Sequence, residues 1–177
     1  GGISARDVLQ AASLEELDLV AAVPVYYQAM VRLFEEGLLP NFKTNCRFAC
    51  SSAPLNGDLR NRFKSLTGQG ITDIFGSTET GGIAFRREDG PWKVEPHVTI
   101  RVDEDGKLDV SSDSVSFKTD DGFFTIGDLV ELNDEGGFML LGRQDDVVKI
   151  GGRRIALGEI TRTVEACPGV FHAAVLT

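Results

Sequence analysis

The sequence is poor in the residues that build metal centres and disulfide frameworks. Its 177 residues include three cysteines and two histidines, and the cysteines lack the paired CxxC spacing of a zinc site. The odd number of cysteines, Cys46, Cys50 and Cys167, also fits no complete disulfide framework. We therefore expect reduced thiols within a core, and we predict neither disulfide bonds nor a zinc site.

Basic residues and long apolar runs are also scarce. The chain has 18 basic against 27 acidic residues and a formal net charge of −9 at pH 7. Nucleic acid and anionic membranes bind to a basic face, so the composition argues against both partners. No apolar run approaches the roughly 20 residues of a membrane span, and the N-terminus has no charged-then-apolar signal pattern. These absences predict a soluble, cytoplasmic protein.

What the first half of the sequence does contain is an alternation of strand-like and helix-like segments. Short apolar strands are predicted at 17–23, 46–50 and 71–75, with a helix between each pair. Strand, helix, strand, helix, strand is the pattern of a parallel sheet covered by helices. We therefore predict an α/β fold whose ligands bind beyond the carboxyl ends of the strands.

The two predicted helices have recognisable ends. The first follows Pro24, which suits a first helical turn, and ends at Gly37. The second is capped by Asn56 and closed by Gly68. Spacings of three and four residues predict that the buried residues are Tyr26, Ala29, Met30, Leu33 and Phe34 in the first helix and Leu59, Phe63 and Leu66 in the second.

Beyond Trp92 the pattern changes to short alternating runs separated by glycine-containing turns. This pattern predicts an antiparallel, barrel-like β subdomain. The predicted strands are 98–102, 107–110, 115–117, 123–126, 128–132 and 137–141. From Asp145 onward a strand, a glycine turn, a helix from about 158 to 166 and a last strand follow. The predicted parts are 1–94, the end of an α/β subdomain; 95–143, the antiparallel subdomain; and 144–177, a hinge and the start of a small α+β domain.

The first of three stretches that can carry chemistry is GSTETGG at 76–82. Gly76 permits a sharp turn, and Ser77 and Thr78 offer hydroxyl donors to phosphate oxygens. Glu79 offers the hard oxygen ligand that magnesium prefers when it bridges phosphates. A polar turn without any ligand accounts for the same residues.

The other two stretches are rich in charged side chains. Asp128 leads a strand directly after a glycine, where its carboxylate can accept two hydrogen bonds from a ribose diol; a simple turn aspartate is the alternative. Arg143 supplies a planar donor fork. Asp145 stands where a hinge would lie, and a positively charged backbone turn follows at 149–152. A solvated run of charges explains this last stretch nearly as well.

The order of the three stretches along the chain, and the spacing between them, favour one interpretation of all three. FGSTETGG at 75–82, GDLVELNDEGGFMLLGRQDDVVKIGGRRIALGEI at 127–160 and SSAPL at 51–55 together resemble the adenylate-forming superfamily. Its members include acyl- and aryl-CoA synthetases, peptide-synthetase adenylation domains and luciferases. The resemblance extends from about the first predicted strand to the last residue.

The resemblance implies roles for residues in the first half. It implies that SSAPL lines the adenine and acyl pocket, that Phe75 stacks near adenine, that Thr78 contacts the phosphate of AMP and that Glu79 binds magnesium. Together with the second half, the expected nucleotide-binding residues are Ser52, Ala53, Pro54, Phe75, Gly76, Ser77, Thr78, Asp128 and Arg143.

In the second half the resemblance implies that Asp128 and Arg143 hold the ribose and that the C-terminal domain swings about Asp145. It also implies that Gly151, Gly152 and Arg154 border a thiol channel, with Lys149 as a charge partner there. Thr78, Glu79 and Lys149 are the expected catalytic residues.

The reaction implied is attack of a small-molecule carboxylic acid on the α-phosphate of ATP. It gives acyl-AMP and pyrophosphate, with ATP/AMP and magnesium as cofactors. The acyl group would then pass to a pantetheine thiol, either of CoA or of an acyl carrier protein. Magnesium and hydrogen-bond donors stabilise the charge that grows on phosphate oxygens in such a step.

Three features of the family pattern are missing from these residues. They are the Ser/Thr/Gly-rich phosphate loop, the C-terminal catalytic lysine, and the threonine before Gly-Asp, which is replaced by Ile126. We therefore expect a fragment of a ligase that adenylates poorly or not at all by itself. The alternatives are a non-catalytic AMP-binding module and a structural remnant that forms a homodimer through an exposed edge strand.

Overall fold

The computed structural model describes residues 3–14, 17–39, 42–117, 119–150, 153–165, 167–170 and 173–175. The chain divides into two compact units, Gly1–Gly90 and Pro91–Thr177. The three-part division expected from the sequence stays a prediction.

The first unit is a mixed α/β layer structure. Its elements are α1 (Ala5–Ser13), β1 (Leu19–Ala22), α2 (Pro24–Glu35), β2 (Arg47–Cys50), α3 (Gly57–Thr67), β3 (Ile71–Ser77) and β4 (Gly81–Arg86). β1 pairs with β2 and β2 with β3, both in parallel, whereas β3 and β4 form an antiparallel hairpin. The predicted α/β fold with a parallel sheet portion is therefore confirmed.

The helix α1 has no counterpart among the elements predicted from the sequence. A capping box fixes its start: the Ser4 hydroxyl accepts from the Asp7 N–H at 3.2 Å, and the Asp7 carboxylate accepts from the Ser4 N–H at 3.2 Å. These two bonds satisfy donors that a helix start otherwise leaves free. The signal was present as Ser-x-x-Asp, with aspartate in place of the usual Glu or Gln.

The core of the first unit centres on three aromatic side chains. Tyr27, Phe48 and Phe63 are almost completely buried. The ring of Phe63 meets Tyr27 edge-to-face at 5.3 Å and Phe48 at 4.9 Å. The Tyr27 hydroxyl donates to the carbonyl oxygen of Ala49 at 2.7 Å, which satisfies the one polar atom that the cluster buries.

The buried face of α2 differs from the predicted one. Tyr26 is 37% exposed and Ala29 is exposed, whereas Tyr27 is fully buried. Both tyrosines fit a helical spacing, but the β2 carbonyl beside Tyr27 gives its hydroxyl a partner in the core, and Tyr26 instead donates to Ile3 at the surface. In α3, Asn56 caps the helix as predicted by accepting from Asp58 N–H at 2.7 Å.

The cysteines follow the prediction in part. Cys46 and Cys50 are free and buried in the core, and burial raises the pKa of Cys50 to about 11. Cys167 is free but exposed, because it follows the last helix in a surface turn. Cys46 and Cys50 are therefore core residues, and the Cys50 thiol keeps its proton at neutral pH.

The second unit is mainly antiparallel, as predicted. Its elements are β5 (Lys93–Val94), β6 (Thr99–Val102), β7 (Lys107–Ser111), β8 (Phe124–Leu132), β9 (Phe138–Arg143), a 3₁₀ turn (Gln144–Asp146), β10 (Val147–Ile150), β11 (Arg153–Ala156) and α4 (Leu157–Glu165). The strands β6, β7, β8 and β9 form one antiparallel sheet in this order, and β10 pairs with β11. Residues 123–126 and 128–132, predicted as two strands, fall largely within the single strand β8, and 115–117 form no strand.

No helix among the residues that the structure describes is both long enough and apolar enough to cross a membrane.

Candidate functional site

The motif GSTETGG forms the tip of the β3–β4 hairpin. The strand β3 runs two residues beyond its predicted end, to Ser77, and residues 78–80 make the turn. The pairing shifts register between Phe75 and Gly76, so that Phe75 faces Ala84 while Gly76 faces Gly82. Such bulges re-aim the residues that follow them, and the following residues here are the predicted phosphate ligands.

Gly76 is required at this bulge for a different reason from the predicted one. A Cβ at this position would lie 2.0 Å from the carbonyl oxygen of Gly81. Gly76 does not have a positive φ, so it is not needed for a left-handed turn. Its missing side chain instead allows the backbones of β3 and β4 to approach each other closely. Gly82, opposite, has room for a Cβ, with the nearest atom at 3.8 Å.

A hydroxyl network organises the turn from inside. Thr80 is fully buried. Its hydroxyl oxygen accepts from the Ser77 N–H at 3.1 Å, lies 3.2 Å from the Ser77 hydroxyl, and donates to the Gly81 carbonyl at 3.1 Å. Thr80 was not selected from the sequence. The available signal was a β-branched hydroxyl residue directly before a strand.

Thr78 and Glu79 are exposed at the tip. Hydrogen bonding by the Ser77 side chain and by the backbone N–H of Glu79 itself holds the pKa of Glu79 below its ordinary value. Glu79 is therefore ionised near neutral pH. Within the described residues, no cluster of three or more His, Cys, Asp or Glu side chains is able to hold a metal ion. A cation at Glu79 would need further ligands, and phosphate oxygens and water supply these for magnesium.

The SSAPL loop lies at the same edge of the sheet as this tip. The strand β2 ends at Cys50, which is the parallel register partner of Asp73, and β3 continues beyond that point. Ser52 has φ +73° and is the one non-glycine residue with a positive φ in the described ranges. Single left-handed residues of this kind carry strain of about 1 kcal/mol and concentrate at functional sites. Ser52, Ala53 and Pro54 are exposed, and Phe75 is half-buried.

In the second unit, Asp128 and Arg143 face each other directly across β8 and β9. Arg143 Nη1 lies 3.6 Å from Asp128 Oδ2, and the two side chains are 53% and 14% exposed. Burial raises the pKa of Asp128; Arg143 opposes this shift and Asp146 adds to it. A Cβ at Gly127 would lie 3.3 Å from Arg143 Nη2, so the guanidinium rests close over that glycine. One small area thus presents a carboxylate acceptor and a planar donor.

The remaining predicted residues are at the C-terminal end. Asp145 lies in the 3₁₀ turn between β9 and β10, and the backbones of Lys149 and Arg154 are register partners in the β10–β11 hairpin. The side chains of these three residues lie outside what the structure describes, as do Gly151 and Gly152. Their hinge and thiol-channel roles stay predictions.

The predicted site residues therefore fall into two groups. The SSAPL loop and the hairpin tip share one sheet edge of the first unit, and the Asp128–Arg143 pair belongs to the second. Convergence of both groups on one nucleotide stays a prediction.

The curated relatives of this chain include CoA ligases, although no protein-family model matches the chain. A 4-coumarate–CoA ligase of Cereibacter sphaeroides is 29% identical over 126 residues, covering 71% of this chain and 28% of the ligase. A 4-chlorobenzoate–CoA ligase of an Arthrobacter species is 25% identical over 206 aligned positions, covering 98% and 39%. The chain thus spans less than two fifths of the length of either relative.

The fold has a counterpart of the same kind among solved structures. ATP-bound MatB from Rhodopseudomonas palustris matches with a TM-score of 0.78 and 26% identity, over 98% of this chain and 40% of MatB. Sequence relatives and fold therefore agree with the three ordered motifs. Together they support the adenylate-forming, AMP-binding superfamily of acyl- and aryl-CoA synthetases as the family that this chain resembles.

Proposed function

We propose that this chain is part of an AMP-forming carboxylic acid–thiol ligase. Such an enzyme uses ATP to convert a small carboxylic acid into acyl-AMP, with release of pyrophosphate, and then passes the acyl group to a pantetheine thiol. The observation that carries the proposal is the Asp128–Arg143 pair, which stands opposite on β8 and β9 and for which the family resemblance implies a ribose-binding role. The relatives named as CoA ligases support the same reaction class.

The Asp128 carboxylate is suited to accept two hydroxyl protons. A carboxylate has about four acceptor sites, and the 3.6 Å separation from Arg143 is an ion pair longer than a hydrogen bond. Its oxygens therefore keep acceptor capacity for the 2′ and 3′ hydroxyls of a ribose. Arg143, half exposed, would bind the same sugar from the neighbouring strand.

The hairpin tip would bind the phosphate end. The Thr78 hydroxyl would donate to a phosphate oxygen, and the ionised Glu79 would hold magnesium together with phosphate oxygens and water. When bound, magnesium neutralises charge that develops on the phosphate oxygens. CoA and carrier proteins present the same pantetheine arm, so both remain acceptors under this proposal.

The ribose role can be tested by calorimetry with AMP, 2′-deoxy-AMP and 3′-deoxy-AMP in the presence of magnesium. Hydrogen bonds to a charged group contribute about 1.5–3 kcal/mol. Loss of either hydroxyl should therefore weaken binding to the unchanged chain about tenfold or more. Asp128→Asn should bind the three nucleotides with nearly equal affinity.

The matched control is Asp134→Asn, which removes an exposed turn carboxylate from the same β8–β9 hairpin. This variant should keep the full preference for AMP. An Asp128→Asn protein that retains the preference would contradict the assignment, as would a folded chain that binds none of the three nucleotides.

A further inference from the structure

The helices α1 and α2 form a groove on the surface of the first unit that none of the proposed ligand contacts uses. Its volume is about 330 Å³, close to the lower limit of about 300 Å³ for ligand-binding pockets. The first turn of α1 forms one wall, and an exposed face of α2 forms the other. The groove is open along its length, so its dimensions suit a few side chains of a partner better than an enclosed small molecule.

Contacts within the first unit fix the shape of the groove. Ala5 and Leu33 line it and also pack against the core, so its floor rests on buried side chains. The Tyr26 hydroxyl donates to the carbonyl oxygen of Ile3 at 2.8 Å and ties the residues before α1 to α2. The capping box described above fixes the first turn of α1. A partner therefore meets a surface that is already formed, and such preorganisation lowers the cost of binding.

Apolar side chains line the groove and continue at the surface beside it. Val25, Ala29 and Leu33 recur every four residues along one face of α2, so they form one stripe. Val25 is 61% exposed, and Ile3, which directly precedes the lining residue Ser4, is 70% exposed. Exposed apolar patches with a polar rim mark interaction sites. A stripe with this spacing is the kind of surface against which a second helix packs.

Two arginines give the groove a positively charged rim. Arg6 belongs to α1 and Arg32 to α2, and both are exposed. Neither guanidinium has a hydrogen bond or an ion pair with a residue that the structure describes, whereas Arg60 and Arg62 of the same unit are paired with carboxylates. No carboxylate lines the groove within the described part of the chain. The groove is therefore complementary to an acidic partner.

We propose that this groove is a docking site for a separate protein that presents an amphipathic helix with acidic side chains on both sides of an apolar stripe. The apolar side chains of this helix pack on Val25, Ala29 and Leu33. Its carboxylates pair with Arg6 on one wall and Arg32 on the other.

The positive rim also distinguishes this partner from two other occupants. A second copy that docked through the same face would place its arginines against those of the first copy. A permanently packed segment would bury two cations without counter-charges, which is costly. A separate acidic helix supplies the counter-charges and leaves the rim hydrated, as in the interfaces of proteins that associate reversibly.

The probe is a synthetic helical peptide of about 18 residues with a leucine stripe flanked by glutamates. Control peptides replace every glutamate by glutamine or by lysine. Fluorescence polarisation with the unchanged full chain should show micromolar binding of the glutamate peptide, about tenfold weaker binding of the glutamine peptide and no binding of the lysine peptide. Because the chain has a formal net charge of −9, this preference opposes the overall charge and reports a local positive site.

Variants of the rim test where the peptide binds. Arg32→Glu should weaken binding of the glutamate peptide about fivefold, and the double variant Arg6→Glu/Arg32→Glu should bind the lysine peptide instead. The matched control Arg87→Glu makes the same charge change at an exposed position elsewhere in the unit and should leave binding unchanged. Ala29→Trp fills the groove and should abolish binding of every peptide, with circular dichroism as the check that the variant is folded.

Three results would overturn the inference. One is equal binding of the three peptides, or equal weakening by Arg87→Glu and Arg32→Glu. Another is the absence of binding of the glutamate peptide to the unchanged chain at millimolar concentration. The third is a dimer in light scattering that Arg6→Glu/Arg32→Glu dissociates, because the groove would then bind a second copy. No nucleotide is used in these measurements, so their outcome is independent of the proposed function.

Discussion

The two units hold their candidate ligands by different means. In the first unit, Thr78 and Glu79 lie on a turn whose shape depends on a backbone contact at Gly76 and on the buried hydroxyl of Thr80. In the second, Asp128 and Arg143 lie within paired strands, and their registration alone brings them together. The comparison teaches that the same kind of polar pair needs supporting residues at a turn but not within a sheet.

The units also differ in how they bury a carboxylate. Asp73 in the first unit is 2% exposed and accepts from Arg60 at 3.3 Å and Arg86 at 3.1 Å. Asp109 in the second accepts from Arg101 at 2.7 Å and from the Thr125 hydroxyl at 2.5 Å. Arg60 is itself 3% exposed, whereas Arg101 is 47% exposed. In these two clusters the first unit therefore buries both signs of charge, and the second buries only the carboxylate.

The two units also differ in net charge. The first unit has nine basic and eleven acidic residues, and the second has nine and sixteen. The net charge of the second unit is thus −7 against −2 for the first. Most of this acidic excess belongs to exposed turns such as 103–105 and 120–121, so it remains hydrated and does not oppose folding strongly.

The largest expected effect tests the difference between the buried carboxylates. Asp73→Asn removes the buried carboxylate that Arg60 and Arg86 share and leaves the buried Arg60 its contact with the exposed Asp89. The Nε of Arg60 already has no partner within the described ranges. Breaking a buried ion pair in this way costs about 3–5 kcal/mol of unfolding free energy. The measurement is urea denaturation followed by circular dichroism.

The matched change in the second unit is Asp109→Asn. Arg101 keeps its contact with Asp121 and remains half exposed, so the expected loss is about 1 kcal/mol. If the two variants lost the same free energy of unfolding, burial of the arginine would not affect the cost of removing its carboxylate partner. This contrast between the units would then not hold.

The next effect concerns the supports of the hairpin turn. Gly76→Ala forces a Cβ against the Gly81 carbonyl, and overpacking of this kind costs about 1–3 kcal/mol. Gly82→Ala, directly opposite on β4, meets its nearest neighbour at 3.8 Å and should change stability by no more than about 0.5 kcal/mol. Urea midpoints of both variants measure the difference. A Gly76→Ala chain as stable as Gly82→Ala would mean that the bulge can open at little cost.

The smallest effect is a pair of pH dependences with opposite sign. Burial raises the pKa of Asp128 above its ordinary 3.8, so the stability that this group contributes is present below 3.8 and is lost as pH rises through the folded-state pKa. The Ser77 hydroxyl lowers the pKa of Glu79 below its ordinary 4.5, so its contribution is present above 4.5 and is lost as pH falls.

Thermal midpoints of Asp128→Asn and Glu79→Gln, measured against the unchanged chain between about pH 3 and 6, separate these contributions. Relative to the unchanged chain, Asp128→Asn should become more stable as pH rises, and Glu79→Gln should become more stable as pH falls. If the stabilities of both variants, relative to the unchanged chain, changed in the same direction with pH, the direction of the pKa shift assigned to Asp128 or to Glu79 would be wrong.

Local signals explain which parts of the fold were predictable. The Asn56 cap is specified by residues next to one another, and the antiparallel pattern of the second unit follows from alternation and glycine turns. The choice of Tyr27 over Tyr26 for the core was not predictable, because it depends on a carbonyl of β2 that is distant in sequence. The role of Thr80 was hidden for the same reason, since its position between Glu79 and Gly81 gives no sign of burial.

By itself the sequence determined the α/β beginning, the antiparallel continuation and the resemblance to an adenylate-forming superfamily. These depend on periodicity and on motifs whose order can be compared directly. Only the tertiary structure decided that Gly76 serves close backbone approach, that Thr80 is turned inward beneath the tip, and that Asp128 stands opposite Arg143. Each of these is a distance between backbones or side chains, and such distances are fixed by strand pairing and packing rather than by the identity of neighbouring residues.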